Sequence, residues 1–192
     1  MRYTLVSKTA KGLLAIVSAT VLIPIATATP AHASYYVVNN WSNSIQLKSN
    51  WCWAAADYAI LAHYGYWGQT QSDIVNYVFG TTNAPNNTAT GTQAQSALNH
   101  YGVSTNSFNS ALFFSDIQAQ INGNKPIFSG WSWKTGGAHA VVLIGWSTET
   151  STDQVRYMDP GDGNAYWMSH VSFVDDSRHS WNGGLKDAWA YK

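Results

Sequence analysis

The chain has 192 residues, with ten Lys+Arg, ten Asp+Glu and only 10% charged residues, against 45% hydrophobic and 14% aromatic content. Arg2, Lys8 and Lys11 take three of the basic residues, so the chain beyond residue 33 carries seven basic and ten acidic side chains. That balance excludes a nucleic-acid binder, which needs a basic excess to neutralise phosphates. The apolar content, with ten Trp, excludes a disordered chain and is enough for a packed core.

Taken in order, residues 1–33 read as an export leader. The early basic residues are followed by a mostly apolar run over 12–25 and by Ala31-His32-Ala33, a small-x-small cleavage pattern. The run is short and broken by Pro24, which argues against a membrane span. The expectation is a secreted protein, cleaved after Ala33, free of the membrane afterwards, with residues 34–192 as one domain.

Residues 34–50 are rich in Asn and Ser with short apolar pieces at 35–38 and 45–47, and read as strand or loop. The Ala-rich run 51–64 predicts a helix with Trp53, Ala56, Ile60 and His63 on one face, Ser49 or Asn50 as its N-cap and Gly65 as its stop. A second helix is expected over 71–79, opening on Ser72-Asp73 and closing at Gly80. The Asn, Thr and Gly-rich stretch 81–92 reads as loop. Helices over 92–101 and 115–122 follow, ended by Gly102 and by Asn122-Gly123. After Pro126 the chain turns to aromatic and β-branched residues, and strands are expected at 127–133, 138–146, 154–158, 165–168 and 188–192. Helices first and strands later predict an α+β domain, its helices segregated from an antiparallel sheet.

Cys52 is the single cysteine. An exported chain normally pairs its cysteines, so this one is either a small buried side chain or a thiol kept for its chemistry. It falls in the first turn of the predicted helix, where free backbone N–H groups and the helix dipole favour a thiolate. A thiol nucleophile needs a base. His63 lies roughly 16 Å along the same helix at about 1.5 Å per residue, too far away. His100 sits near another helix end, and His170 and His179 lie in polar, poorly patterned stretches. His139 follows Gly136-Gly137-Ala138 and opens an apolar strand, where an imidazole is held rigidly. If the strands 138–146 and 154–158 form a hairpin, paired residue numbers sum to about 300 and Asp159 becomes a same-face diagonal neighbour of His139. Asn164 is the fallback partner for the imidazole.

The stretch QLKSNWCWAAA, with Gln46 ahead of Cys52 and Trp53 directly after it, resembles the papain-like cysteine peptidases. So does GGAHAVVLIGW around His139, followed by Asp159 in YMDPG. The likeness is to small bacterial members: staphopain-like enzymes, plant-pathogen effector proteases and bacteriocin-leader peptidase-like domains. It implies a papain-like fold with the Cys helix in an N-terminal helical lobe packed on a C-terminal antiparallel sheet. It further implies Cys52 as nucleophile, His139 as general base and then acid, Asp159 as orienter of the imidazole, and Gln46 as a donor to the oxyanion beside the Cys52 backbone N–H. No cofactor or metal is implied. The expected partner is a polypeptide substrate, with a proteinaceous inhibitor as a further candidate, and the enzyme is expected to act as a monomer. Trp51, Trp53, Trp131, Trp133 and Trp146 lie close to these motifs, and one or two are expected to wall an apolar substrate groove. The rival readings are a Cys/His peptidoglycan amidase and a non-catalytic, aromatic-rich binding module for glycan or protein.

Overall fold

In the computed structural model, residues 33–191 are described; the predicted leader lies outside them except for its final residue. The elements are β1 (Tyr35–Val37), α1 (Cys52–His63), α2 (Gln71–Phe79), α3 (Gly91–His100), β2 (Val103–Phe108), α4 (Phe114–Asn122), β3 (Ile127–Trp133), β4 (Ala138–Ser147), β5 (Gln154–Asp159), β6 (Asn164–Ser169), α5 (His170–Val174) and β7 (His179–Ala190). The strands form one antiparallel sheet in the order β2-β7-β3-β4-β5-β6, with β1 pairing the end of β4. α1 packs on β4 and against α2 and α3. The α+β architecture read from the sequence is the one observed.

The helix punctuation follows local chemistry. Thr70 caps α2 and Thr90 caps α3, each reciprocated by the side chain three residues on, Asp73 and Gln93, so two orphan N–H groups are satisfied at each start. Gly80 closes α2 in the left-handed conformation, φ 61°, which glycine adopts without strain. α1 departs from expectation in two ways. Its N-cap position is Trp51, with no side-chain cap, so neither Ser49 nor Asn50 caps it. Its burial is also all round rather than on one face: Ala54, Ala55, Ala56, Ala59, Leu61 and Ala62 are buried together with Trp53 and Ile60. A helix wedged between a sheet and two helices has no solvent side, and the small Ala side chains let all three approach. Asp57 is inside as well, fully buried with neither carboxyl oxygen hydrogen-bonded, and burial, which disfavours the charged form, pushes its carboxyl well above the usual range.

The sheet holds two elements the sequence pattern did not disclose. β2 forms where no strand was expected, and β7 is a long strand at the interior of the sheet, between β2 and β3, instead of a short C-terminal one. Gly183 and Gly184 make that placement possible. A Cβ on Gly184 would lie 1.9 Å from the Phe128 carbonyl oxygen, and one on Gly183, at φ 139°, would lie 2.3 Å from that of Phe108. Both obstacles are backbone, so Gly184→Ala must push β7 off β3. The expected loss is about 2–4 kcal/mol of stability, read as a lower denaturant midpoint with an unchanged slope.

Candidate active site

Cys52 is the first residue of α1, half-buried and free of any disulfide. Placed there, its backbone N–H has no partner within the helix. His139 stands near the start of β4, directly across from Trp131 of β3. The β4–β5 pairing runs Val142↔Met158 and Leu143↔Tyr157. Those numbers sum to 300, as the hairpin argument required, and continuing the register puts Asp159 one diagonal step from His139. The side chains meet: His139 Nε2 donates to Asp159 Oδ1 at 2.6 Å. The carboxylate is braced by the Gly161 N–H, 2.8 Å from the same oxygen. Asn164 pairs with Asp159 across β5 and β6, and its backbone N–H bonds to Asp162.

Nε2 is committed to Asp159, and Cys52 and His139 line the same cavity, near enough for each to shift the other's pKa. Burial pushes the Cys52 thiol up, but the His139 hydrogen bond and charge, with the backbone N–H groups of Ala140 and Trp53, outweigh it and leave the thiol below its ordinary value. Burial likewise disfavours the His139 cation, yet the bonds to Asp159 and Cys52 win and hold it up at about 9. Each group stabilises the charged form of the other, the condition for a thiolate–imidazolium pair. The Trp133 ring stacks on His139 at 5.6 Å and 20°.

The other described histidines are occupied elsewhere. His63 bonds the Asn124 carbonyl, His170 that of Leu112, His179 is fully buried against Trp131, and His100 stacks on Tyr77. Among the described residues no group of three or more His, Cys, Asp or Glu could hold a metal ion, and no helix is long and apolar enough to cross a membrane.

Gln46 lies on the loop ahead of α1. Its side-chain amide donates to the carbonyls of Lys48 at 3.1 Å and Ser49 at 2.8 Å, and its backbone N–H donates to the Pro160 carbonyl at 2.8 Å. That last bond ties the segment before Cys52 to the turn after Asp159.

A cavity of about 470 Å³ opens beside Cys52 and His139. Trp53 and Trp131 form part of its wall, together with Phe128 and Leu185, while Thr88 and Asn182 bring polar groups to its rim. Cys52 and His139 are the sole ionisable residues lining it. Trp51 and Trp146 take no part in this wall; they are buried core, with Trp51 bonded to the Pro85 carbonyl and Trp146 to Asn122. The contributions of residues 88–92, at the end of the loop and the start of α3, and of β7 to the cavity were not anticipated. The Gly183-Gly184 pair was the available signal, since adjacent glycines inside an aromatic-rich stretch mark close backbone approach as well as turns.

A sequence profile of the papain-like cysteine protease AvrRpt2 family matches residues 31–178. The chain belongs to this family. It is a cysteine-type peptidase of papain-like kind, and the Cys52–His139 pairing stands inside the matched region. Among solved structures, the chain is similar to a double glycine motif protease from an AMS/PCAT transporter, crystallised with the leader peptide, at 15% identity and a TM-score of 0.47, over 79% of this chain and 97% of that one. No curated protein matches the chain.

Proposed function

We propose that residues 34–192 form the peptidase domain of a secreted enzyme, exported by the leader over 1–33, and that it hydrolyses peptide bonds through Cys52, His139 and Asp159. The observation that carries this reading is the two-sided engagement of His139, bonded through Nε2 to Asp159 and interacting with Cys52 at the mouth of an apolar cavity. The Cys52 thiolate attacks the scissile carbonyl carbon, and the developing oxyanion takes hydrogen bonds from the Cys52 backbone N–H and the Gln46 amide. Gln46 now spends both N–H groups on Lys48 and Ser49, so one of those bonds is exchanged for the oxyanion as it forms. The His139 imidazolium gives its proton to the leaving amine, and the C–N bond breaks to leave an acyl-enzyme. Water, deprotonated by His139, then attacks the thioester and releases the acid and the thiol. Asp159 holds the ring so that the nitrogen opposite Nε2 faces sulfur throughout.

The substrate under this reading is a polypeptide. With no charged wall beyond the reacting pair, the cavity favours an apolar or neutral side chain, since a charged one would be desolvated without a partner. Incubation with casein and, separately, with purified cell walls under mild reductant tests the assignment. Casein is expected to be cut while the walls stay intact. Release of wall fragments with casein untouched identifies an amidase instead, and inertness towards both leaves the binding module.

A further inference from the structure

The segment 81–90 forms no helix or strand, yet residues 84–87 lie along the stretch that leads into the nucleophile helix. Lys48 Nζ donates to the Ala84 carbonyl at 2.7 Å, Trp51 Nε1 to that of Pro85 at 2.8 Å, and Trp53 Nε1 to that of Asn87 at 3.1 Å. Asn86 goes further and engages its side chain at both ends. Its Oδ1 accepts from the Asn50 backbone N–H at 3.0 Å, its Nδ2 donates to Ser49 Oγ at 2.9 Å, and its carbonyl accepts from Asn50 Nδ2 at 2.8 Å. Ser49 is the residue whose carbonyl receives the Gln46 amide, and Asn50 stands two positions before Cys52.

The geometry points to Asn86 as a positioning residue for the oxyanion-binding loop: by fixing Ser49 and Asn50, its side chain sets where the Cys52 N–H and the Gln46 amide lie when charge develops on the substrate oxygen. This inference rests on the roles given to Cys52 and Gln46 in the proposed function. Asn86 touches neither the thiol nor the cavity. An amide is the group the position calls for, since one end must accept from a backbone N–H while the other donates to a hydroxyl. Asn86 is exposed, so truncating it opens no hole in the core. Preorganisation of oxyanion donors is where a small displacement weighs most, as they must be in place before the charge appears.

The test compares wild type, Asn86→Ala, Asn86→Asp, Gln46→Ala and the Asn86→Ala/Gln46→Ala double variant on a cleavable peptide, alongside alkylation of Cys52 by iodoacetamide. Alkylation displaces iodide from an sp³ carbon and forms no oxyanion, so it reports the thiolate–imidazolium pair alone. Asn86→Ala is expected to lower kcat about tenfold or more, against about 10²–10³-fold for loss of the Gln46 donor itself, with KM changed little and the alkylation rate and its pH profile as in wild type. Asn86→Asp keeps the acceptor for the Asn50 N–H and falls between. In the double variant the Asn86 effect largely disappears into that of Gln46, because the two act through one arrangement. An Asn86→Ala enzyme with wild-type kcat, one losing kcat and alkylation in parallel, or additive losses in the double variant overturns the inference. Should Asn86→Ala fail to fold, Asn86→Asp and Ser49→Ala carry the same comparison. Wild type that cleaves no peptide overturns the peptidase reading and this inference with it, whereas an active wild type indifferent to Asn86 removes the inference alone.

Discussion

Cys52→Ala is expected to remove peptide cleavage, with turnover falling by on the order of 10⁵-fold or more. Sulfur forms the bond that splits one difficult hydrolysis into two easier steps, and Cys52 is the chain's sole thiol. The substitution keeps Cβ, and the side chain is half-buried at the first position of α1, so the helix and its Ala-rich contacts persist. A proteome-wide cleavage-site profile of wild type against Cys52→Ala, under mild reductant, reads the effect directly. Circular dichroism of the variant should match wild type. Identical cleavage profiles would show that the thiol takes no part in the chemistry.

Asp159→Ala is expected to lower turnover at neutral pH by about 10²-fold, within the range of a general acid–base contribution, and to move the alkaline limb of the rate profile to lower pH. The sign follows from the two shifts at the pair. His139 is held up at about 9, mainly against burial and by its bond to Asp159, while Cys52 sits below its ordinary value through His139. The ion pair therefore exists above the lowered thiol value and disappears as pH rises through about 9, where the imidazolium loses its proton. Without the Asp159 carboxylate, burial is left opposed by Cys52 alone, so the imidazolium proton leaves at lower pH. The limb belongs to the coupled pair rather than to one residue, and iodoacetamide alkylation followed across pH measures it without substrate binding. An alkaline limb that stays in place in Asp159→Ala would separate Asp159 from the imidazole's charge.

Much of this site could be read from the chain because its members are tied to local signals. A lone cysteine at the start of an Ala-rich run, a histidine opening an apolar strand and an aspartate closing the next one are each visible in a dozen residues. A hairpin then converts sequence distance into spatial distance, since antiparallel pairs keep a constant sum. The β-bulge between Leu143 and Gly145 changes that sum by one towards the far end of the hairpin, but His139 and Asp159 lie at the near end, so the arithmetic holds where it matters. The helices α2 and α3 were legible through their composition and the glycines that follow them, whereas the capping boxes at Thr70 and Thr90 went unread.

What stayed hidden depends on partners far along the chain. Asn182-Gly183-Gly184 carries no strand signal in its residue types, and it lies in an interior strand where the Phe108 and Phe128 carbonyls come too close for side chains at the two glycines. α1 reads as one-faced, and is buried on all sides only because a sheet and two helices enclose it. The loop over 81–89 has no helical or strand pattern, and its residues 84–86 are held by hydrogen bonds to residues more than thirty positions earlier. Sequence by itself pointed to the α+β fold class and to Cys52, His139 and Asp159 as residues to be brought together, through periodicity, hairpin geometry and the resemblance to papain-like peptidases. Tertiary structure alone decided the strand order, the cavity wall and the contacts that residues 84–87 make with the segment before Cys52, because each depends on partners far along the chain.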